Sequence, residues 1–159
     1  MEKFEEAGLI SLIERGGIFS DVPGTTPAEA LSSLINTAPL PDIINREELL
    51  KAVLEREALM STAVGHGIAL PHPRNPVAAT SQDQRVVIGF LRHRVDWKAL
   101  DRKPIHTVLL IVSSSPKTHL HTLSRINFFC QQESFRELLE NRSPQQRIVE
   151  VIRKAEADW

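Results

Sequence analysis

His72 sits between Pro71 and Pro73 and closes the run Ser61-Thr62-Ala63-Val64-Gly65-His66-Gly67-Ile68-Ala69-Leu70. Gly65 and Gly67 let the backbone turn and approach a ligand closely, after which Ile68, Ala69 and Leu70 form a short apolar run that Pro71 stops. An imidazole at the mouth of a buried strand, behind a proline of fixed φ, is well placed to act as a nucleophile. On the tripeptide alone, a loop histidine with no duty is the competing reading. A second pair of histidines lies in Thr118-His119-Leu120-His121-Thr122-Leu123-Ser124. At about 100° per helical residue, Leu120, Leu123, Ile126 and Cys130 form one stripe, with His119 near its middle and His121 almost opposite, beside Arg125. His119 is therefore expected to point inward and His121 outward. The first turn of that helix, capped by Ser115 and begun by Pro116, favours an anion through its unpaired N–H groups and its dipole. No metal and no cofactor is called for: His119 and His121 at i, i+2 leave opposite helix faces, the His-Glu-x-x-His spacing is absent, and there is no pair of cysteines.

These groups need a scaffold. The apolar opening Leu9, Ile10, Leu12 and Ile13 leads to Gly16-Gly17-Ile18-Phe19, a turn into a short strand. Thr26-Pro27-Ala28-Glu29 reads as a capping box, and Leu31, Leu34, Ile35 and Ala38 give the helix that follows an apolar face ending before Pro39. Asn45 and Glu48 repeat the signature for a helix whose Leu49, Leu50, Val53 and Leu54 face the core, with Arg56 in its last turn. Val86–Leu91 and Thr107–Val112 are continuous and β-branched, as expected of central strands covered on both faces. Between them, residues 96–101 read as a loop anchored by Trp97. A final helix begins at Ser143-Pro144 and uses Ile148, Val149 and Ile152. Helices flanking mainly buried strands make an α/β sandwich.

The chain has 159 residues, of which 42% are hydrophobic, so one domain with a sizeable core accounts for residues 1–159. The net charge of −1 hides an asymmetry: residues 1–60 hold 5 Lys/Arg against 11 Asp/Glu, and residues 61–125 hold 9 against 3. All six histidines fall in that basic middle segment, which suits a phosphate or an acidic partner. Nucleic acid is a poor fit, since there is no dense basic run and no Tyr for base stacking. Cys130, the one cysteine, rules out an internal disulfide and reads with Phe128 and Phe129 as a buried reduced thiol. No apolar stretch reaches membrane-spanning length, and the acidic Glu2, Glu5 and Glu6 are unlike a signal peptide, so no membrane insertion and a cytoplasmic location are expected.

The two histidine segments together resemble the enzyme IIA domains of the bacterial phosphotransferase system (PTS), of the mannitol/fructose and nitrogen-regulatory type. That family's run of Arg-Glu at a helix end, Ser-Thr, Gly-x-Gly and Ile-Ala-x-Pro-His is matched by Arg56-Glu57, Ser61-Thr62, Gly65-His66-Gly67 and Ile68-Ala69-Leu70-Pro71-His72. Thr118 to Ser124 resembles its second histidine motif, and the likeness runs from about residue 25 to the C-terminus. The resemblance implies a mixed β-sheet flanked by helices in one domain, the mannitol-type IIA fold. It further implies that His72 accepts a phosphoryl group from HPr or an HPr-like phosphocarrier protein, that His119 donates a hydrogen bond to the phosphoryl oxygens or orients His72, and that Arg56 supplies fixed positive charge. Such a cation would also lower the pKa of His72 and keep it neutral. Ser61, Thr62, Gly65, His66 and Gly67 would form the loop of that site.

Two positions depart from the family pattern: His66 stands where Asn is expected, and Pro73 removes a backbone N–H beside the nucleophile. The implied activity is that of a phosphotransferase component, a phosphohistidine carrier rather than a turnover enzyme acting by itself on a small molecule. The nitrogen-regulatory kind, which signals by binding target proteins according to its phosphorylation state, is the favoured type. A fructose or mannitol transport component passing phosphate to a IIB domain, and a non-catalytic binding module of the same fold, are the alternatives.

Overall fold

In the computed structural model, residues 8–157 are described, so the acidic run Glu2, Glu5 and Glu6 lies outside them. Five strands form one mixed sheet in the order β1-β4-β5-β3-β2, where β1 is Ile18–Val22, β2 Ala63–Gly65, β3 Ile68–Ala69, β4 Arg85–Val95 and β5 Ile105–Val112. Strands β1 and β4 run parallel, β4 and β5 antiparallel, β5 and β3 parallel, and β3 and β2 antiparallel. All eight residues of β5 are buried, which is the price of a central strand with helices on both faces.

One face packs on α2 (Pro27–Thr37) and α3 (Arg46–Leu59), where Leu31, Leu34, Leu49 and Val53 meet Val87, Val108 and Leu110. The other carries α1 (Leu9–Gly16), α4 (Pro116–Cys130), α5 (Glu133–Glu140) and α6 (Gln145–Glu156), whose Leu12, Ile126, Phe129, Leu139 and Ile148 pack on Ile88, Leu109 and Ile111. Alternate residues of β4 and β5 thus serve opposite cores, the period-2 logic of a sheet covered on both sides. Gly16 ends α1 so close to β4 that a Cβ there would lie 1.9 Å from the Val86 carbonyl oxygen.

The helix starts follow local chemistry. Asn45 accepts from the Glu48 N–H at 2.9 Å, and Ser115 and Thr118 cap α4 reciprocally. At α2, the Thr26 hydroxyl accepts from Glu29 N–H, but the Glu29 carboxylate turns to the N–H and hydroxyl of Thr25 rather than back to Thr26, so the expected box is one residue wider than the sequence suggests. The loop after β4 is anchored as expected: Trp97 is only 2% exposed. Helix α5 and the helical form of Leu9–Gly16 have no counterpart in the sequence reading.

Candidate functional site

Strand β3 is two residues long, yet its end is held from both sides. Leu70 N–H donates to the Thr62 carbonyl at 3.0 Å, and the Pro71 carbonyl accepts from Ile111 N–H at 3.0 Å, which carries the pairing with β5 past the proline. His72 follows directly and is 9% exposed. Its Nδ1 lies 2.8 Å from the Leu70 carbonyl oxygen. A carbonyl only accepts, so in the neutral ring Nδ1 holds the proton and Nε2 holds the lone pair. The ring of His119, from the first turn of α4, lies against it with centroids 4.5 Å apart and planes tilted by 44°.

Both rings resist protonation. Burial is the main cause for His72, with Arg56 acting in the same sense and the Leu70 carbonyl and Glu57 opposing. The cation effect expected of Arg56 is therefore present but secondary. For His119, burial, then His72 and then Arg56 lower the value to about 4. A folded-state pKa below the unfolded one gives stability that is fully present above the unfolded value and lost as pH falls through that window. Melting temperature is accordingly expected to drop as pH goes from about 6.5 toward 4. His119→Gln should flatten part of that drop in a thermal-melting series between pH 7 and 5; an unaltered slope would mean that His119 does not titrate with folding.

Arg56, in the last turn of α3, is half-buried and donates from Nη1 to the Met60 carbonyl at 2.7 Å. Glu57 beside it accepts from the N–H and the hydroxyl of Thr62, both at 2.6 Å. The Ser61 hydroxyl donates to the Trp97 carbonyl at 2.7 Å and accepts from Ala63 N–H. Ser61 and Thr62 thus tie the end of α3 to the loop after β4 and to the hairpin that leads to His72. Glu57 carries this join, although only its place in the Arg-Glu pair was visible in the sequence.

The Gly65-His66-Gly67 segment serves a different neighbourhood. His66 and Gly67 form the two-residue turn between β2 and β3, both at positive φ, 58° and 80°, as a type I′ hairpin requires. A histidine in that conformation occupies a position that suits Asn or Gly. The hydrogen bonds of His66 run to Asp101, at its N–H, and to His106 Nε2, at its carbonyl. Gly67 packs so tightly on the His106 ring that a Cβ would meet it at 2.4 Å. This turn borders a crevice of about 340 Å³ that also takes in Arg94, Lys103 and Arg136. His106, buried and bonded to Thr107 through Nδ1, was not singled out by the sequence.

The phase expected for α4 needs correcting. Its buried residues are Thr118, Thr122, Ile126, Phe129 and Cys130, whereas Leu120 is 64% exposed. Two threonines, one of them a capping partner, occupy the inner face and shift its centre away from the leucines by roughly 80°. His119 still reaches His72 from the edge of that face, and His121 is half-buried rather than fully outward. Leu120, His119, Pro73 and Arg74 line a small crevice of about 230 Å³ next to His72. Arg74, exposed two residues after His72, is a cation that sequence spacing left unmarked.

The family model described as "Phosphoenolpyruvate-dependent sugar phosphotransferase system, EIIA 2" matches residues 11–155. The chain belongs to the PTS EIIA type 2 family. A fructose-specific EIIABC component of Bacillus subtilis is 31% identical over 110 residues, 68% of this chain but 17% of that relative, so the chain spans under a fifth of its length. A nitrogen regulatory protein of Pseudomonas aeruginosa is 26% identical over 148 residues, covering 91% of this chain and 94% of its own. Among solved structures, the nitrogen regulatory protein IIA-Ntr of Neisseria meningitidis aligns with a TM-score of 0.73 at 20% identity over 90% of this chain and 94% of its own. A complex of enzyme IIA mannitol with phosphorylated enzyme IIB mannitol from Escherichia coli aligns at 0.65 and 20% identity, over 86% of this chain and 94% of that one. These similarities agree with a mixed sheet flanked by helices, the EIIA type 2 fold. No helix among the described residues is long and apolar enough to cross a membrane.

Proposed function

We propose that this EIIA type 2 chain is a phosphoryl carrier that takes its phosphoryl group on Nε2 of His72 from HPr or an HPr-like phosphocarrier. The observation that carries the reading is the His72 ring itself, with Nδ1 committed to the Leu70 carbonyl and the His119 ring 4.5 Å away. In the step, the Nε2 lone pair attacks phosphorus and the donor's N–P bond electrons return to the donor imidazole. His72 keeps its Nδ1 proton throughout. A neutral imidazole is the competent form, and burial favours it near pH 7. His119 donates to the phosphoryl oxygens, and Arg56 adds positive charge while the group is in flight. The chain acts as a component of a transferase system, and residues 1–159 are read as one such domain working in the cytoplasm.

The test is to mix the purified chain with phosphorylated HPr-type donor and record ³¹P and ¹⁵N spectra of the product. A phosphohistidine at Nε2 of His72 is expected; a phosphoryl group at Nδ1, or on another residue, would overturn the assignment.

The regulatory type, signalling through phosphorylation-dependent binding of target proteins, draws support from the near end-to-end match with the Pseudomonas aeruginosa nitrogen regulatory protein. The transport reading, in which the group moves on to a IIB domain, draws support from the Bacillus subtilis EIIABC relative and from the IIA–IIB mannitol complex. Chasing the phosphorylated chain with a IIB domain separates them, since rapid loss of label to IIB belongs to the transport reading alone.

Arg56→Lys gives a further expected result. Lysine keeps the charge but not the planar fork that reaches the Met60 carbonyl and an anion together, so transfer to His72 is expected to slow by about tenfold. Wild-type rates in single-turnover labelling would reduce Arg56 to a point charge.

A further inference from the structure

A chain of hydrogen bonds leads from the end of α3 to the nucleophile. Both carboxylate oxygens of Glu57 are used on one residue: Oε2 accepts the N–H of Thr62 and Oε1 its hydroxyl, each at 2.6 Å. Thr62 is 6% exposed, so its polar groups depend on that carboxylate rather than on water. The Thr62 carbonyl in turn accepts Leu70 N–H at 3.0 Å, closing the base of the β2–β3 hairpin. The Leu70 carbonyl then receives the Nδ1 proton of His72 at 2.8 Å. The links run from 2.6 to 3.0 Å, and none of the residues that make them is exposed.

We propose that Glu57 is a positioning residue for His72, holding through Thr62 and Leu70 the ring orientation and the Nδ1–H tautomer that leave Nε2 free to attack. This rests on the phosphocarrier reading above, because only a reaction at Nε2 requires that tautomer. Glu57 lies one residue from Arg56, which ties the Met60 carbonyl, so the two residues at the end of α3 both brace the segment leading into the hairpin. Their charges act on the His72 proton in opposite senses and leave burial as the main influence. The function of Glu57 on this account is geometric. A charge-assisted pair of bonds fixes one peptide, and the hairpin passes that fixity to the Leu70 carbonyl.

Glutamine can reproduce the geometry, since its amide oxygen accepts Thr62 N–H and its amide N–H donates to the Thr62 hydroxyl; alanine cannot. The experiment compares wild type, Glu57→Gln and Glu57→Ala by long-range ¹⁵N–¹H spectra of the His72 ring, single-turnover phosphoryl transfer from HPr-type donor, and thermal melting. Wild type is expected to show only the Nδ1–H tautomer, and Glu57→Gln to keep it with transfer within about threefold. Glu57→Ala should show mixed tautomers and transfer slowed by tenfold or more, the scale of a misplaced reacting group. An alanine variant with a lower melting temperature but the native tautomer and native transfer per folded molecule would make Glu57 a stabilising clamp only and overturn the proposal. Glutamine as impaired as alanine would overturn it too, since charge and not geometry would then be at work. If Glu57→Ala does not fold, Thr62→Val removes one of the two bonds, and an unchanged tautomer and rate there would count equally against it. Should wild type take no phosphate on His72, the carrier reading fails, while the tautomer comparison still decides whether Glu57 positions the ring.

Discussion

His72→Ala is expected to abolish the acid-labile, base-stable phosphoryl label that the proposed function requires from an HPr-type donor, with the domain still folded. Loss of label follows because His72 combines a bonded Nδ1 with the neighbouring His119 ring, whereas His106, the other buried histidine, has both nitrogens engaged, by Thr107 and by the His66 carbonyl. Retention of the fold follows from the backbone at this point. The main-chain bonds that place residues 70 and 71, from Leu70 N–H to Thr62 and from Ile111 N–H to Pro71, do not involve the imidazole, whose own bond to the Leu70 carbonyl is the one that is lost. The variant loses one ring contact and one side-chain hydrogen bond, about 1 to 2 kcal/mol, which for a chain of this size lowers the melting temperature by only a few degrees. Full labelling of a folded His72→Ala protein would remove His72 from the reaction, and His119 would become the residue to test next.

How far the sequence showed this site depends on which residues do the holding. The glycine pair and the apolar run Ile68–Leu70 announced a turn and a strand stopped by proline, because both signals are local backbone constraints. The central position of β4 and β5 was equally plain, since the stretches buried on both faces, residues 86–91 and 108–112, carry no polar side chain. Helix α4 was placed correctly in sequence but rotated, because Thr118 and Thr122 are buried while Leu120 is not, and a hydrophobicity stripe passes over threonines. Helix α5 escaped notice because eight residues with Phe135, Leu138 and Leu139 offer barely two turns of pattern. Glu57 and His106 were hidden for another reason. What makes each of them matter is a contact with a residue from a different element, Thr62 in one case and Gly67 in the other. No spacing rule encodes that.

The largest remaining effect separates the two histidines of α4. His119→Ala is expected to slow transfer to and from His72 by roughly a hundredfold, the size of effect seen when one preorganised donor to a developing anion is removed. The ring stands against His72, and with its pKa held at about 4 it is neutral at pH 7, so the role proposed for it is that of a hydrogen-bond donor and not of a charge. That distinction can be measured. His119→Gln, which offers a neutral donor of similar reach, should recover part of the rate, whereas a residue needed for positive charge would not be replaced by glutamine. His121 lies two residues on, about 200° around the helix, and is half-buried. His121→Ala should therefore keep the turnover, with any effect confined to a higher Michaelis constant for the protein donor, the signature of lost docking rather than lost chemistry. Single-turnover and steady-state labelling of the three variants in parallel give the answer: if His121→Ala loses turnover and His119→Ala keeps it, the contact of His119 with His72 has no part in the reaction and the second site moves to His121.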